Sequence, residues 1–179
     1  MQKKLTIVAS FGIMLCLGSV YAWSIFVPEL IKSYHFSATQ AQLIFGTLIA
    51  IFPVTMVIVG RKEHLLSPRR RIWLSAFFYS GGYILAYFSQ GNFYVILLGI
   101  GVMAGVGTGI GYLTSLTTPV QWAPNRKGLV TGIAAAGFGL SAFIVSYIAD
   151  YLINVNVSIL HIFLIMCISY GVVIVVLSF

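Results

Sequence analysis

The sequence predicts an all-α membrane protein whose six transmembrane helices form two inverted repeats of three helices. The first observation behind this is composition: 60% of the 179 residues are hydrophobic, 7% are charged and the mean hydropathy is +1.03. A soluble domain of this size could not bury so much apolar surface, so the bilayer is its solvent. The second is a series of six apolar runs, and the third is the confinement of positive charge to the segments between them.

Each run reaches the ~20 residues that cross about 30 Å of hydrocarbon, and backbone polar groups inside lipid are satisfied within a helix. The chain therefore predicts a single six-helix bundle over residues 1–179. The predicted spans are 5–31, 39–60, 71–89, 92–119, 128–152 and 158–179.

The first two spans have distinct beginnings. The first follows Lys3 and Lys4 and continues to about Ile31, which is longer than the ~7–15 apolar residues of a signal peptide, so we interpret it as a retained helix. The second is preceded by Ser37 to Gln40, a capping-box pattern that opens a helix.

The later spans are rich in small residues. The fourth places Gly101, Gly105 and Gly109 four residues apart, a spacing that predicts close contact with the glycine-rich fifth span or another partner. The sixth continues to Phe179 with no basic residue after it. We therefore expect the chain to be one half of a larger transporter or a truncated product.

The cations set the expected orientation. Nine of the ten Lys and Arg residues fall on one side of the predicted bundle, and Lys32 falls on the other. The positive-inside rule then predicts a multi-pass protein of the cell membrane with both termini in the cytoplasm. The nine are Lys3, Lys4, Arg61, Lys62, Arg69, Arg70, Arg71, Arg126 and Lys127.

A four-residue pattern occurs twice with the same spacing. It reads Gly-x-x-Tyr-x-x-Ser-x-x-x-Pro and covers residues 18–28 in the first span and 109–119 in the fourth. On an α-helix these positions share one side. The first and fourth spans are expected to be the equivalent first helices of the two three-helix repeats. They would cross the membrane in opposite directions, as in an inverted repeat.

Three stretches carry a resemblance to a known family. They are residues 18–24 (GSVYAWS), 60–69 (GRKEHLLSPR) and 121–128 (QWAPNRKG), the last of which leads into Thr131-Gly132 and residues 136–139 (AGFG). Together they resemble the major facilitator superfamily, specifically the oxalate/formate antiporter-like group and its small-monocarboxylate relatives. The resemblance covers the N-terminal six-helix half of a twelve-helix family member.

The resemblance implies a carrier for small carboxylates of the oxalate, formate, pyruvate or lactate type. Its first and fourth helices would line the substrate path, which implies roles for Tyr21, Ser24, Tyr112 and Ser115, with Trp23 nearby. Phenols and hydroxyls can donate hydrogen bonds to a carboxylate. In the oxalate-type relatives the essential cations belong to the other half, so the implied partner is a second copy or a separately encoded C-terminal six-helix half.

The gating loop departs from the family pattern. Gly60 and Arg69 hold its end positions, but His64 stands where the family has an aspartate that latches the two halves by charge pairing. Neutral histidine cannot supply that charge. Glu63 is adjacent, but on an α-helix it would point about 100° away. We therefore expect the latch to be impaired.

Two other function classes stay open at this stage. Six helices in a chain of this length also suit the membrane substrate-binding subunit of an energy-coupling transporter. More remotely, Ser141 and His161 resemble the serine–histidine pair of an intramembrane protease, although the residue after the serine is Ala142 where such an enzyme has glycine. The leading expectation is a non-enzymatic carrier without cofactor, metal site or nucleic-acid partner.

Overall fold

The computed structural model describes residues 2–177, with side chains from residue 5 onward. Within that range the chain forms six long helical segments and no strand, which confirms the predicted all-α class. The segments are α1 (residues 2–34), α2 (Ala38–Arg61), α3 (Pro68–Tyr87), α4 (Phe93–Trp122), α5 (Lys127–Asn154) and α6 (Ile159–Val176). The side chains of Lys3 and Lys4 and the last two residues of the sixth predicted span lie outside the described part.

Five of the six helices are long and apolar enough to cross a membrane. The helix outside this group is α3, which carries arginines 69–71 in its first turn and several Tyr, Ser and Gly residues along its length. It packs between α4 and α6. Its polar side chains therefore face protein, which is where polar residues of a membrane helix are least costly.

Local sequence explains where the helices begin. Ser37 accepts a hydrogen bond from the Gln40 amide at 3.1 Å, and the Gln40 side chain accepts one from the Ser37 amide at 2.9 Å, so the predicted capping box is present. α3 begins at Pro68 rather than at residue 71, because Ser67 caps it and proline suits the first helical turn.

Two helices depart from α-helical geometry in their middle. α1 consists of Gln2–Leu17, a tight 3₁₀ turn at Gly18–Ala22, and Trp23–Tyr34. α4 contains a π-helical stretch at Leu97–Ala104 between two α-helical parts. The two interrupted helices are those that carry the repeated pattern.

The glycines of α4 pack against two neighbours on opposite sides. A β-carbon built on Gly101, Gly105 or Gly109 would lie 2.7–3.3 Å from a carbonyl oxygen of α2. Those carbonyls belong to Ile44, Leu48 and Phe52. The other glycines of this helix contact α3, at Ser75, Tyr79 and Gly82. The close partners of α4 are therefore α2 and α3 rather than the glycine-rich α5.

Helix pairing supports the inverted repeat. α1 packs on α5, and α4 packs on α2. If α1 and α2 of the first repeat correspond to α4 and α5 of the second, the two pairs are equivalent. The same correspondence relates Gly18, which lies against the backbone of Phe138, to Gly109, which lies against the backbone of Phe52.

Candidate functional site: an aromatic cluster between the two repeats

The two close glycine contacts bring α1, α2, α4 and α5 together at one place. A β-carbon on Gly18 would overlap the carbonyl group of Phe138, and one on Gly109 would lie 2.7 Å from the carbonyl oxygen of Phe52. Only glycine permits such an approach of two helix backbones. The phenylalanines that supply those carbonyls consequently lie beside the tyrosines that follow each glycine by three residues.

Four rings form what we call the aromatic cluster: Tyr21, Phe52, Tyr112 and Phe138. Phe52 and Phe138 stack at 6.2 Å between ring centroids. Tyr21 meets Phe138 edge-to-face at 5.3 Å, and Tyr112 meets Phe138 at 4.9 Å and Phe52 at 5.2 Å. The two tyrosines predicted from the repeat are thus brought together on one ring of α5, which the sequence pattern alone did not identify.

The cluster has an open side. Tyr21 is 45% exposed and Tyr112 is half-buried, whereas Phe138 is buried beneath them. Neither phenol hydroxyl has a hydrogen-bond partner among the described residues. The arrangement therefore offers an apolar ring wall with two hydroxyl donors at its edge, a combination that suits a small molecule with one polar end.

The other residues predicted to line the substrate path lie outside the aromatic cluster. Trp23 is buried, donates its indole N–H to the carbonyl of Ala41 at 3.0 Å and stacks on Phe163 at 6.5 Å, so it fastens α1 to α2 and α6. Ser24 is exposed one turn beyond Tyr21. Ser115 is buried and lines a crevice between α1, α3 and α4.

The loop between α2 and α3 does hold a carboxylate. Arg71 donates from Nη1 to Oε1 of Glu63 at 3.0 Å, and the Thr117 hydroxyl of α4 donates to the same oxygen at 3.0 Å. The α-helical geometry assumed for Glu63 does not apply, because α2 ends at Arg61 and Glu63 opens a 3₁₀ turn. His64, which follows it, is exposed.

The other two loop positions lie on either side of this carboxylate. Gly60 lines a shallow groove with Glu63, His64 and Gln121. Arg69 lines the crevice that also contains Ser115. Glu63 and Arg71 thus form an ion pair in this loop, and the motif comparison selected neither of them.

The serine–histidine pair is not assembled. Ser141 is fully buried in α5 and its hydroxyl has no hydrogen-bond partner in the described part of the chain. His161 lies in the first turn of α6, is exposed, and its Nδ1 is 2.6 Å from the Ser158 hydroxyl. His161 is thus at a helix end rather than well inside a span, and it is not placed to activate Ser141.

Comparison with known proteins completes this description. The family model described as Major Facilitator Superfamily matches residues 8–179. An uncharacterised transporter of that type from Escherichia coli, YhjX, is 29% identical over 152 residues, covering 85% of this chain and 38% of YhjX. The apicoplast pyruvate carrier 1 of Toxoplasma gondii is 26% identical over 136 residues, covering 76% of this chain and 24% of the carrier.

Human monocarboxylate transporter 14 is also similar, with 22% identity over 147 residues, covering 82% of this chain and 29% of the transporter. The chain therefore spans between a quarter and two fifths of the length of these curated relatives.

Proposed function

Since the chain belongs to the major facilitator superfamily, we propose that it forms one six-helix half of a secondary carrier for small carboxylates. It is a multi-pass membrane protein. The substrates would be of the oxalate, formate, pyruvate or lactate type, carried in exchange for another anion. The basic loops and both termini would face the cytoplasm of a cell membrane, as the distribution of cations suggests.

The observation that carries this proposal is the aromatic cluster. Tyr21 and Tyr112 come from equivalent positions of the two repeats and both contact Phe138. Their unpartnered hydroxyls could donate to the two oxygens of one carboxylate, while the rings contact a short apolar tail. Pyruvate and monocarboxylate carriers among the relatives favour the same substrate class.

A complete chamber would need a second six-helix bundle. The cluster contains phenols but no cation, and a carboxylate bound away from water requires charge compensation. α5 also exposes three large aromatic side chains, at Phe143, Tyr147 and Tyr151. A second copy of this chain or a separately encoded C-terminal half would cover these side chains. The cation would have to come from a C-terminal half, because every Lys and Arg of this chain lies at a helix end or in a loop.

Glu63 would take the latch role that the family pattern gives to the neighbouring position. It already links α2, α3 and α4 through Arg71 and Thr117. A carboxylate held in this way can open and re-form its contacts as two bundles rock about a central site.

Uptake into proteoliposomes tests the proposal. The chain is reconstituted alone and with the C-terminal half of YhjX, and entry of radiolabelled formate, oxalate, pyruvate and lactate is measured. We expect Tyr21→Phe and Tyr112→Phe each to lower uptake about tenfold, since a hydrogen bond to a charged group contributes about 1.5–3 kcal/mol. Tyr94→Phe, at an exposed tyrosine in the first turn of α4 outside the cluster, is the matched control.

Uptake that is equal in all three variants would contradict the role of the cluster. Uptake of none of the four anions in either reconstitution would contradict the substrate class.

A further inference from the structure

A crevice separate from the aromatic cluster lies between α1, α3 and α4, at the end of the bundle that carries the basic loops. Its volume is about 300 Å³. Ser115 and Thr118 of α4 form one side, Ser67 and Arg69 at the start of α3 form another, and Ser10 of α1 faces them across the space. None of the four rings of the cluster lines this crevice.

Two hydroxyls in this crevice have no partner. Oγ of Ser115 and Oγ1 of Thr118 are buried, and neither makes a hydrogen bond within the described residues. Ser115 is 2% exposed. Two other threonines of the same helix, Thr108 and Thr114, donate to the carbonyl four residues earlier at 2.7 Å. Orphaned hydroxyls are costly, so a pair of them one turn apart indicates a missing acceptor.

The surroundings of the crevice favour a negatively charged acceptor. It lies at the N-terminus of α3, a helix of 20 residues with no acidic residue in its first turn. The positive end of a helix dipole and the Arg69 guanidinium both attract an anion. Among the described residues, no Asp or Glu lines the crevice, and Glu63 engages Arg71 and Thr117 elsewhere.

The rest of the lining is apolar. Ile13, Ile72, Trp122 and Leu177 adjoin the polar end, and the Trp122 side chain is 46% exposed. An indole and aliphatic side chains next to an anion site suit a ligand with a charged head and a hydrocarbon tail.

We propose that this crevice binds a phosphate group, which accepts hydrogen bonds from the hydroxyls of Ser115 and Thr118 and is attracted by Arg69 and the α3 N-terminus. A phosphate has enough acceptor oxygens to satisfy these donors together. A phospholipid headgroup and free phosphate share this chemistry. The lipid source places its acyl chain on the apolar wall.

Thermal unfolding of the purified chain in phosphate-free maltoside micelles tests the proposal. Three additions are compared: dioleoylphosphatidylglycerol, dioleoylglycerol with the same chains and no phosphate, and inorganic phosphate. Ligand binding to the folded state at roughly one hundred times its Kd raises Tm by about 5 °C or more in a protein of this size. The variants are the near-isosteric pair Ser115→Ala with Thr118→Val, and the control Thr108→Val, whose hydroxyl lies outside the crevice.

We expect the phospholipid to raise the Tm of the wild type and of Thr108→Val, and the double variant to lose at least half of that shift. A comparable shift with inorganic phosphate assigns the site to free phosphate, and its absence assigns the site to lipid. An equal response of the double variant, no shift from either phosphate source, or an equal shift from dioleoylglycerol would overturn the proposal. The double variant removes two unsatisfied hydroxyls, so its unliganded Tm should not fall below that of the wild type.

Discussion

The two copies of the repeated pattern have the same four residues at the same spacing, but their local structures differ. In the first, Gly18 and Tyr21 lie in a 3₁₀ turn that interrupts α1. In the second, Gly109 and Tyr112 lie in regular α-helix. Both glycines nevertheless press against a backbone carbonyl of the opposite repeat, and both tyrosines reach Phe138. The contacts are therefore shared although the helical geometry that produces them is not.

The serines show the consequence of that difference. Ser24 follows the tight turn and is exposed, whereas Ser115 is buried on the side of α4 that faces α1 and α3. A 3₁₀ turn has about 3 residues per turn instead of 3.6, so it rotates everything that follows it. Identical spacing in sequence thus places the glycine and tyrosine alike and the serine differently.

The largest expected effect is the loss of stability when a methyl group is added to a glycine at a close helix crossing. Gly18→Ala should lower the free energy of unfolding by about 3 kcal/mol, because the new methyl group meets the Phe138 backbone and α1 must move away from α5. Gly109→Ala should cost about 1–2 kcal/mol. Unfolding of the purified variants in mixed micelles measures both.

Gly132→Ala is the control for these glycine substitutions. A β-carbon at Gly132 meets nothing within 4 Å, so the change should be neutral or stabilising. Equal losses at all three glycines would mean that the close crossing of the repeats does not set the cost.

Cysteine labelling tests the divergence of the serines. With Cys16 and Cys167 replaced by alanine, Ser24→Cys should react with a water-soluble maleimide at least about tenfold faster than Ser115→Cys, since buried thiols are shielded. Reaction rates followed by mass spectrometry give the ratio. A ratio near one would show that the two serines share an environment after all.

A smaller effect is expected from the hydrogen bonds that hold the 3₁₀ turn. Ser19, within the turn, bonds to the hydroxyl of the fully buried Tyr79, which also lies 3.4 Å from the carbonyl oxygen of Cys16. Tyr79→Phe should cost about 1 kcal/mol in the free energy of unfolding. Tyr147→Phe, at a 75% exposed position, should cost close to nothing, and a similar loss in both variants would refute the anchoring of the turn.

The smallest expected effects are the couplings inside the aromatic cluster. Double-mutant cycles that combine Phe138→Leu with Tyr21→Leu or Tyr112→Leu should give coupling energies of about 0.5–1.5 kcal/mol. The Tyr21 coupling should be the larger, because Phe138 is its one ring partner in the described part, whereas Tyr112 also contacts Phe52. Couplings of zero would mean that the rings are neighbours without mutual stabilisation.

The helices were predictable because the bilayer imposes a simple rule on the backbone. The apolar runs and the capping box at Ser37 are local signals, and each has its expected position. The partner ring Phe138 lies in the AGFG stretch of the family resemblance, but no contact was predicted for it. It is one phenylalanine among 13, and its role follows from the crossing of α1 and α5, which depends on residues over a hundred positions apart.

The helical geometry assumed for Glu63 was wrong for a related reason. The expectation extended helical geometry through Glu63, but the helix stops at Arg61 and the next turn swings the carboxylate towards Arg71 and Thr117. The Ser67-Pro68 pair signals where α3 begins, yet no comparable signal marks where α2 ends. The direction of a side chain in a short loop depends on the residues it contacts in the fold, and the local sequence does not specify it.

The π-helical stretch Leu97–Ala104 holds more residues per turn than the α-helix on either side of it. Deleting one residue there would convert the stretch to α-helix. The N-terminal end of α4 and Tyr112 would then keep their orientations relative to the rest of the bundle. Homologues that are one residue shorter at this point would then be tolerated, and an alignment should show its gaps inside a membrane span, where insertions and deletions are otherwise least expected.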